Sequence, residues 1–267
     1  MNRLKNTFET LAQNNEKALV GFVTAGDPDI DTSLDIIAAM CENGMDILEL
    51  GVPFSDPSAD GPVIQRSSSR ALKHNVSLKT VMEMIRKIRR ITSIPIIIFS
   101  YYNPIMAYGV DHFQPDAIAA GADGVLLVDL PLEESKELTS CWTVNDFSLI
   151  NLVAPTTPKD RMAKISAASS GFLYLVSKTG VTGSDGLDTS EIQTQMNILR
   201  SVTDLPVCVG FGISTAEDVA TVASMADGVV IGSAFERLIE ENIDDPELAL
   251  LIGRQTAEYK AATIINP

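Results

Sequence analysis

Cations are scarce in this chain: 20 Lys and Arg stand against 35 Asp and Glu, for a formal net charge of −15. Gripping a nucleic-acid backbone requires clustered Lys and Arg, so this balance argues against a nucleic-acid partner. Cysteine is sparse too. Cys41, Cys141 and Cys208 make no close pair and show no metal-ligand spacing. Cys208 falls in an apolar run and Cys41 on a helical face, so they read as small buried hydrophobes, and the odd count suits a reducing cytoplasm. The only histidines, His74 and His112, lie in helical stretches. No Walker A, dinucleotide or H-E-x-x-H pattern is present, so neither a metal nor a cofactor is expected in this chain. No apolar run approaches the ~20 residues of a membrane span, and Met1–Lys17 is polar, without the marks of a secretory signal. A soluble cytoplasmic protein is expected.

What is present is an alternation. Short apolar runs at Ala18–Val23, Asp46–Leu50, Ile94–Phe99, Gly124–Val128, Ser148–Val153, Phe172–Val176, Pro206–Val209 and Gly228–Ile231 read as strands. Between them lie segments with apolar residues three and four apart, such as Val81, Met84, Ile85 and Ile88, which give one apolar helical face. Near-continuous apolar strands are buried on both faces and therefore parallel. Eight such units account for 267 residues, close to the ~250 of a (β/α)8 TIM barrel, and no linker or composition shift divides the chain. The expectation is an α/β single-domain barrel over residues 1–267. An open doubly wound sheet is the alternative, but no glycine-rich fingerprint follows the first strand.

In such a barrel the active site lies at the C-terminal ends of the strands. Glu49 interrupts the second apolar run. If Leu48 and Leu50 face the helices, alternation points Glu49 into the barrel mouth, where burial raises its pKa and suits it to exchange protons near neutrality. Asp56 and Asp60 follow on a loop stiffened by Pro53, Pro57 and Pro62. Asp60 is the better candidate for chemistry, because it follows the proline-bounded turn and precedes Gly61. After the seventh and eighth runs, Gly210-Phe211-Gly212 and Gly232-Ser233 offer backbone N–H groups and a helix N-terminus to a phosphate. Ser177–Asp188, with three glycines, is placed where a lid would exclude water. Tyr174 either points inward beside Glu49 or fills the core with its hydroxyl at the rim.

The string Glu49–Gly61, with Ser177–Gly183, Gly210–Ile213 and Gly232–Ser233, resembles the tryptophan synthase α chain family over essentially the whole barrel, in order and spacing. The resemblance implies retro-aldol cleavage of indole-3-glycerol phosphate to indole and glyceraldehyde 3-phosphate. It also implies an α2β2 heterotetramer in which indole passes to a β chain that carries pyridoxal phosphate. The family's catalytic acids fall on Glu49 and Asp60. Tyr174 and Thr182 match auxiliary positions, and Phe22, Ile64, Phe99, Leu126 and Phe211 match the indole pocket. Gly183, Gly210, Phe211, Gly212, Gly232 and Ser233 match the phosphate cradle, and Asp56 matches the face turned to the partner. Ser58 departs from the family's usual larger apolar residue, and Ser184–Asp188 from its commoner sequence. Two other readings are weaker. A different phosphate-binding barrel would need a Lys or a Cys/Asp pair at strand ends, and a non-catalytic activating subunit would not need both acids.

Overall fold

The computed structural model describes residues 2–142, 144, 146–177 and 189–265. Eight strands follow in order: β1 Ala18–Thr24, β2 Ile47–Gly51, β3 Ile96–Ser100, β4 Gly124–Leu127, β5 Ser148–Val153, β6 Leu173–Val176, β7 Val207–Gly210 and β8 Gly228–Ile231. They form a closed barrel in sequence order, with β8 returning to pair with β1, and every pairing is parallel. This is the expected (β/α)8 barrel, and each apolar run overlaps a strand.

Alternation along each strand divides the core into two shells. Leu19, Leu48, Leu50, Ile96, Ile98, Val125, Leu173, Val207 and Val229 belong to the outer shell, between strands and helices. Val20, Ile47, Ile97, Leu126, Ile150, Tyr174, Cys208 and Val230 fill the barrel itself. The helices close over the outer shell through the faces their periodicity supplies. In Leu78–Ile88 the residues Leu78, Val81, Met82, Met84, Ile85 and Ile88 are buried, and a reciprocal capping box between Ser77 and Thr80 starts the helix.

One element was hidden by its polarity. Residues Arg3–Gln13, which read as a polar terminus, form a helix whose Leu4, Phe8 and Leu11 pack into the barrel's inner cluster. Phe8 meets Phe172 with ring centroids 6.0 Å apart. Three apolar residues at helical spacing are enough to stopper the N-terminal end of the barrel. Among the described residues, no helix is long and apolar enough to cross a membrane.

Candidate active site

Glu49 is the middle residue of β2 and is wholly buried. Its neighbours in the sheet register are Phe22 on β1 and Ile97 on β3. Leu48 and Leu50 face the helices, so alternation turns the Glu49 carboxyl into the barrel. Neither of its oxygens meets a hydrogen-bond partner among the described residues. Burial alone pushes its carboxyl up to about 8. A group in that position is largely protonated at neutral pH and can give up its proton at small cost.

Aromatic side chains surround the same space. The Phe22 and Phe99 rings meet edge to face, with centroids 4.9 Å apart. Gly51, two residues further along β2, leaves room for the Phe22 ring, since a Cβ there would lie 2.7 Å from its tip. Leu126 is buried on β4. Tyr174 on β6 is buried within the field of Glu49, and both burial and that carboxyl raise its hydroxyl well above its ordinary value. Tyr174 packs edge to face on Phe211 at 6.0 Å, which brings the loop after β7 to the mouth.

Asp60 ends the loop that follows β2. Gly61 caps the next helix, Pro62–Lys73, and Pro62 takes its first position, where the missing N–H costs nothing. Burial raises the Asp60 carboxyl and a hydrogen bond from the Tyr101 hydroxyl partly offsets that rise, leaving it at about 6. Tyr101 stands just past β3. Its hydroxyl also accepts the Ala59 N–H at 2.9 Å, and its ring lies 5.1 Å from that of Phe54. One phenol therefore holds the loop at three points. Its signal was an aromatic at a strand end, which reads equally as core. Ile64 is half-buried on the helix behind Asp60, and Asp56 is exposed on the loop, accepting a hydrogen bond from its neighbour Ser55.

At the other side of the mouth, Phe211 and Gly212 both adopt left-handed backbone, with φ of 78° and 76°. The conformation is routine for glycine and strained for phenylalanine. Ser177, at the end of β6, anchors it: its N–H donates to the Gly210 carbonyl at 2.9 Å and its hydroxyl donates to the Phe211 carbonyl. Gly232 takes the cap position of the helix Ser233–Glu241 and, being glycine, brings no side chain to cap it. Glu49, Phe22, Phe99, Leu126 and Tyr174 thus turn into the barrel, and Gly210, Phe211, Gly212, Gly232 and Ser233 lie at the turns that follow β7 and β8. Thr182 and Gly183 lie outside the described residues.

A closed parallel barrel with a buried, unpartnered carboxyl, a second acid on the loop beside it and a glycine-led helix after its last strand defines an enzyme of the (β/α)8 class. A family model described as tryptophan synthase alpha chain matches residues 8–263. A tryptophan synthase alpha chain of Desulfosudis oleivorans is 64% identical over 98% of this chain and 99% of its own length. That of Desulfatibacillum aliphaticivorans is 62% identical over the same shares. Among solved structures, the alpha subunit from Legionella pneumophila superposes with a TM-score of 0.91 at 38% identity, covering 98% of each chain. Tryptophan synthase from M. tuberculosis gives 0.89 at 31% identity, covering 99% of each chain. The chain belongs to the tryptophan synthase alpha chain family. It is a lyase that cleaves indole-3-glycerol phosphate and passes indole to a β chain.

Proposed function

We propose that Glu49 is the proton carrier of this cleavage and Asp60 its electrostatic partner. The reaction breaks the bond between indole C3 and the first carbon of the glycerol phosphate side chain. C3 must gain a proton, and the hydroxyl on the departing carbon must lose one as it becomes the aldehyde of glyceraldehyde 3-phosphate. Glu49 in its neutral form delivers the proton to C3, and the carboxylate left behind takes the hydroxyl proton, so it returns to its starting state. Protonation at C3 places positive charge on the ring nitrogen. Asp60, ionised near neutrality, accepts the indole N–H and stabilises that charge. Phe22, Ile64, Phe99, Leu126 and Phe211 wall the indole. Tyr174 supports Glu49 from β6. Gly210, Phe211, Gly212, Gly232 and Ser233 hold the phosphate, with the dipole of helix Ser233–Glu241 directed at it.

The observation that carries this reading is the Glu49 carboxyl, buried among hydrocarbon with neither oxygen hydrogen-bonded to a described residue. A structural carboxylate would have a cation beside it. Asp56, exposed on the loop after β2, is assigned to the face that meets the β chain. An α2β2 assembly, pyridoxal phosphate in the β chain and a cytoplasmic location complete the proposal. The test is indole release from indole-3-glycerol phosphate by Glu49→Gln and Asp60→Asn, each with and without a β chain. Both variants are expected to fold and to lose about 10² or more in turnover, the range of a general acid–base group. Near-wild-type turnover by either would remove the role given to that residue. Turnover by neither wild type nor variants would make the chain an activating subunit.

A further inference from the structure

A second buried carboxyl lies outside the chemistry just described. Glu236 is the fourth residue of helix Ser233–Glu241 and is wholly buried. Its Oε1 accepts the N–H of Thr24, the last residue of β1, at 2.6 Å. Its Oε2 is buried and meets no donor among the described residues. The carboxyl of Glu236 interacts with that of Asp27, 1% exposed on the loop after β1, whose two oxygens are held by the Arg70 guanidinium at 2.7 and 2.8 Å. Arg70 also donates to Glu240 at 2.8 Å, and Arg66 grips Glu240 through two bonds of 2.7 Å.

The charges of this cluster close without Glu236. Arg66 and Arg70, both on helix Pro62–Lys73, balance Asp27 on the β1 loop and Glu240 on the helix of Glu236 itself. An ionised Glu236 would add a buried negative charge beside another carboxylate, with no cation of this cluster left to meet it. A proton on Glu236 removes that charge and supplies the donor that the contact lacks. Burial and the neighbouring Asp27 both act in this direction, holding the Glu236 carboxyl well above its ordinary range.

We propose that Glu236 is a positioning residue for the substrate phosphate: a neutral carboxylic acid that donates a hydrogen bond to Asp27 and so locks the N-terminus of helix Ser233–Glu241 against the end of β1. The lock reaches further. Through Asp27 and Arg70 it joins the helix that begins directly behind Asp60, and a hydrogen bond of 2.7 Å between the Thr24 and Ser67 hydroxyls joins β1 to the same helix. The phosphate end and the acid-bearing loop are thereby held in one register. Loss of the proton would set two carboxylates against each other and release the helix, so phosphate binding should weaken as the medium turns alkaline. The inference rests on the assignment of the phosphate to Gly232 and Ser233.

The experiment uses the full chain with glycerol 3-phosphate as probe. Infrared difference spectra of wild type against Glu236→Gln should show the loss of one protonated-carboxyl C=O stretch at neutral pH. Calorimetry should show that wild-type affinity falls from neutral to alkaline pH. Glu236→Gln, which keeps both an acceptor for Thr24 and a donor for Asp27, should bind within about twofold of wild type at neutral pH and lose that pH dependence. Glu236→Leu should weaken binding by up to about tenfold, the net worth of a lost hydrogen bond, and raise KM more than it lowers kcat. An unchanged infrared band in Glu236→Gln would mean an ionised Glu236 and overturn the proposal. So would wild-type affinity in Glu236→Leu while Ser233→Asp weakens binding. If Ser233→Asp also binds normally, the phosphate assignment fails, and the infrared band still decides the proton by itself.

Discussion

Tyr174 on β6 and Gly210 on β7 share one space at the barrel mouth: a Cβ on residue 210 would lie 2.1 Å from the Tyr174 hydroxyl oxygen and 2.9 Å from Cβ of Val230. The glycine is therefore required by packing as well as by any approach of backbone to phosphate. Gly210→Ala should destabilise the fold by about 1–3 kcal/mol through overpacking and drive Tyr174 from its place beside Glu49. Denaturant unfolding measures the first effect and indole release the second. Adding Tyr174→Ala removes the nearest clashing atoms, so the pair should be coupled, with the double variant losing less stability than the two single losses added. Strict additivity would place the controlling contact at Val230.

Glu49 should also leave a signature in stability against pH. Burial holds its folded carboxyl up at about 8, against an ordinary value of 4.5. Between those two values the native state holds a proton that the unfolded chain has released, so this group's contribution falls as pH rises, and the full cost is present above 8. Glu49→Gln carries no such cost. Its melting temperature should exceed wild type by most at alkaline pH, and the gap should narrow toward pH 4.5. A gap independent of pH would show that Glu49 is not neutral in the native state.

Tyr101 tunes Asp60. Its hydrogen bond holds the Asp60 carboxyl below where burial alone would put it. Tyr101→Phe removes that donor, so the Asp60 pKa should rise and the acidic limb of the kcat profile should move to higher pH. The same change frees the Ala59 N–H, so the loop should also gain protease sensitivity. A pH profile superimposable on wild type would mean that the limb belongs to another group.

The phosphate assignment is tested at Ser233, the first residue of an otherwise uncapped helix end. Ser233→Asp sets a negative charge where the substrate's phosphate is to sit, while the helix dipole favours that charge in the free protein. Substrate affinity should fall steeply with little change in melting temperature. Unchanged binding by calorimetry would put the phosphate elsewhere.

Much of this molecule is local in origin, and the sequence alone determined it. The eight apolar runs, the period of three and four between them, and the lone Glu49 inside one run specify a parallel barrel with an acid turned inward. Side-chain alternation is a property of any strand, and a strand buried on both faces must be apolar on both. The glycine turns at Gly210–Gly212 and Gly232 were legible for a similar reason, because backbone freedom is written in residue type. The tertiary structure alone decided which groups meet across 30 residues or more. Nothing local pairs Tyr101 with the loop after β2; β3 sets its hydroxyl on the Ala59 N–H, 42 positions earlier in the chain. Gly210 looked like an anion turn until β6 laid a tyrosine over it. In the sequence Glu236 stands in a charged segment, with Arg237, Glu240 and Glu241 around it. Burial against a strand end 212 residues away turned it into a wholly buried acid beside Asp27. Charge and exposure of a side chain follow from what closes over it, and closure is a property of the whole barrel rather than of any segment within it.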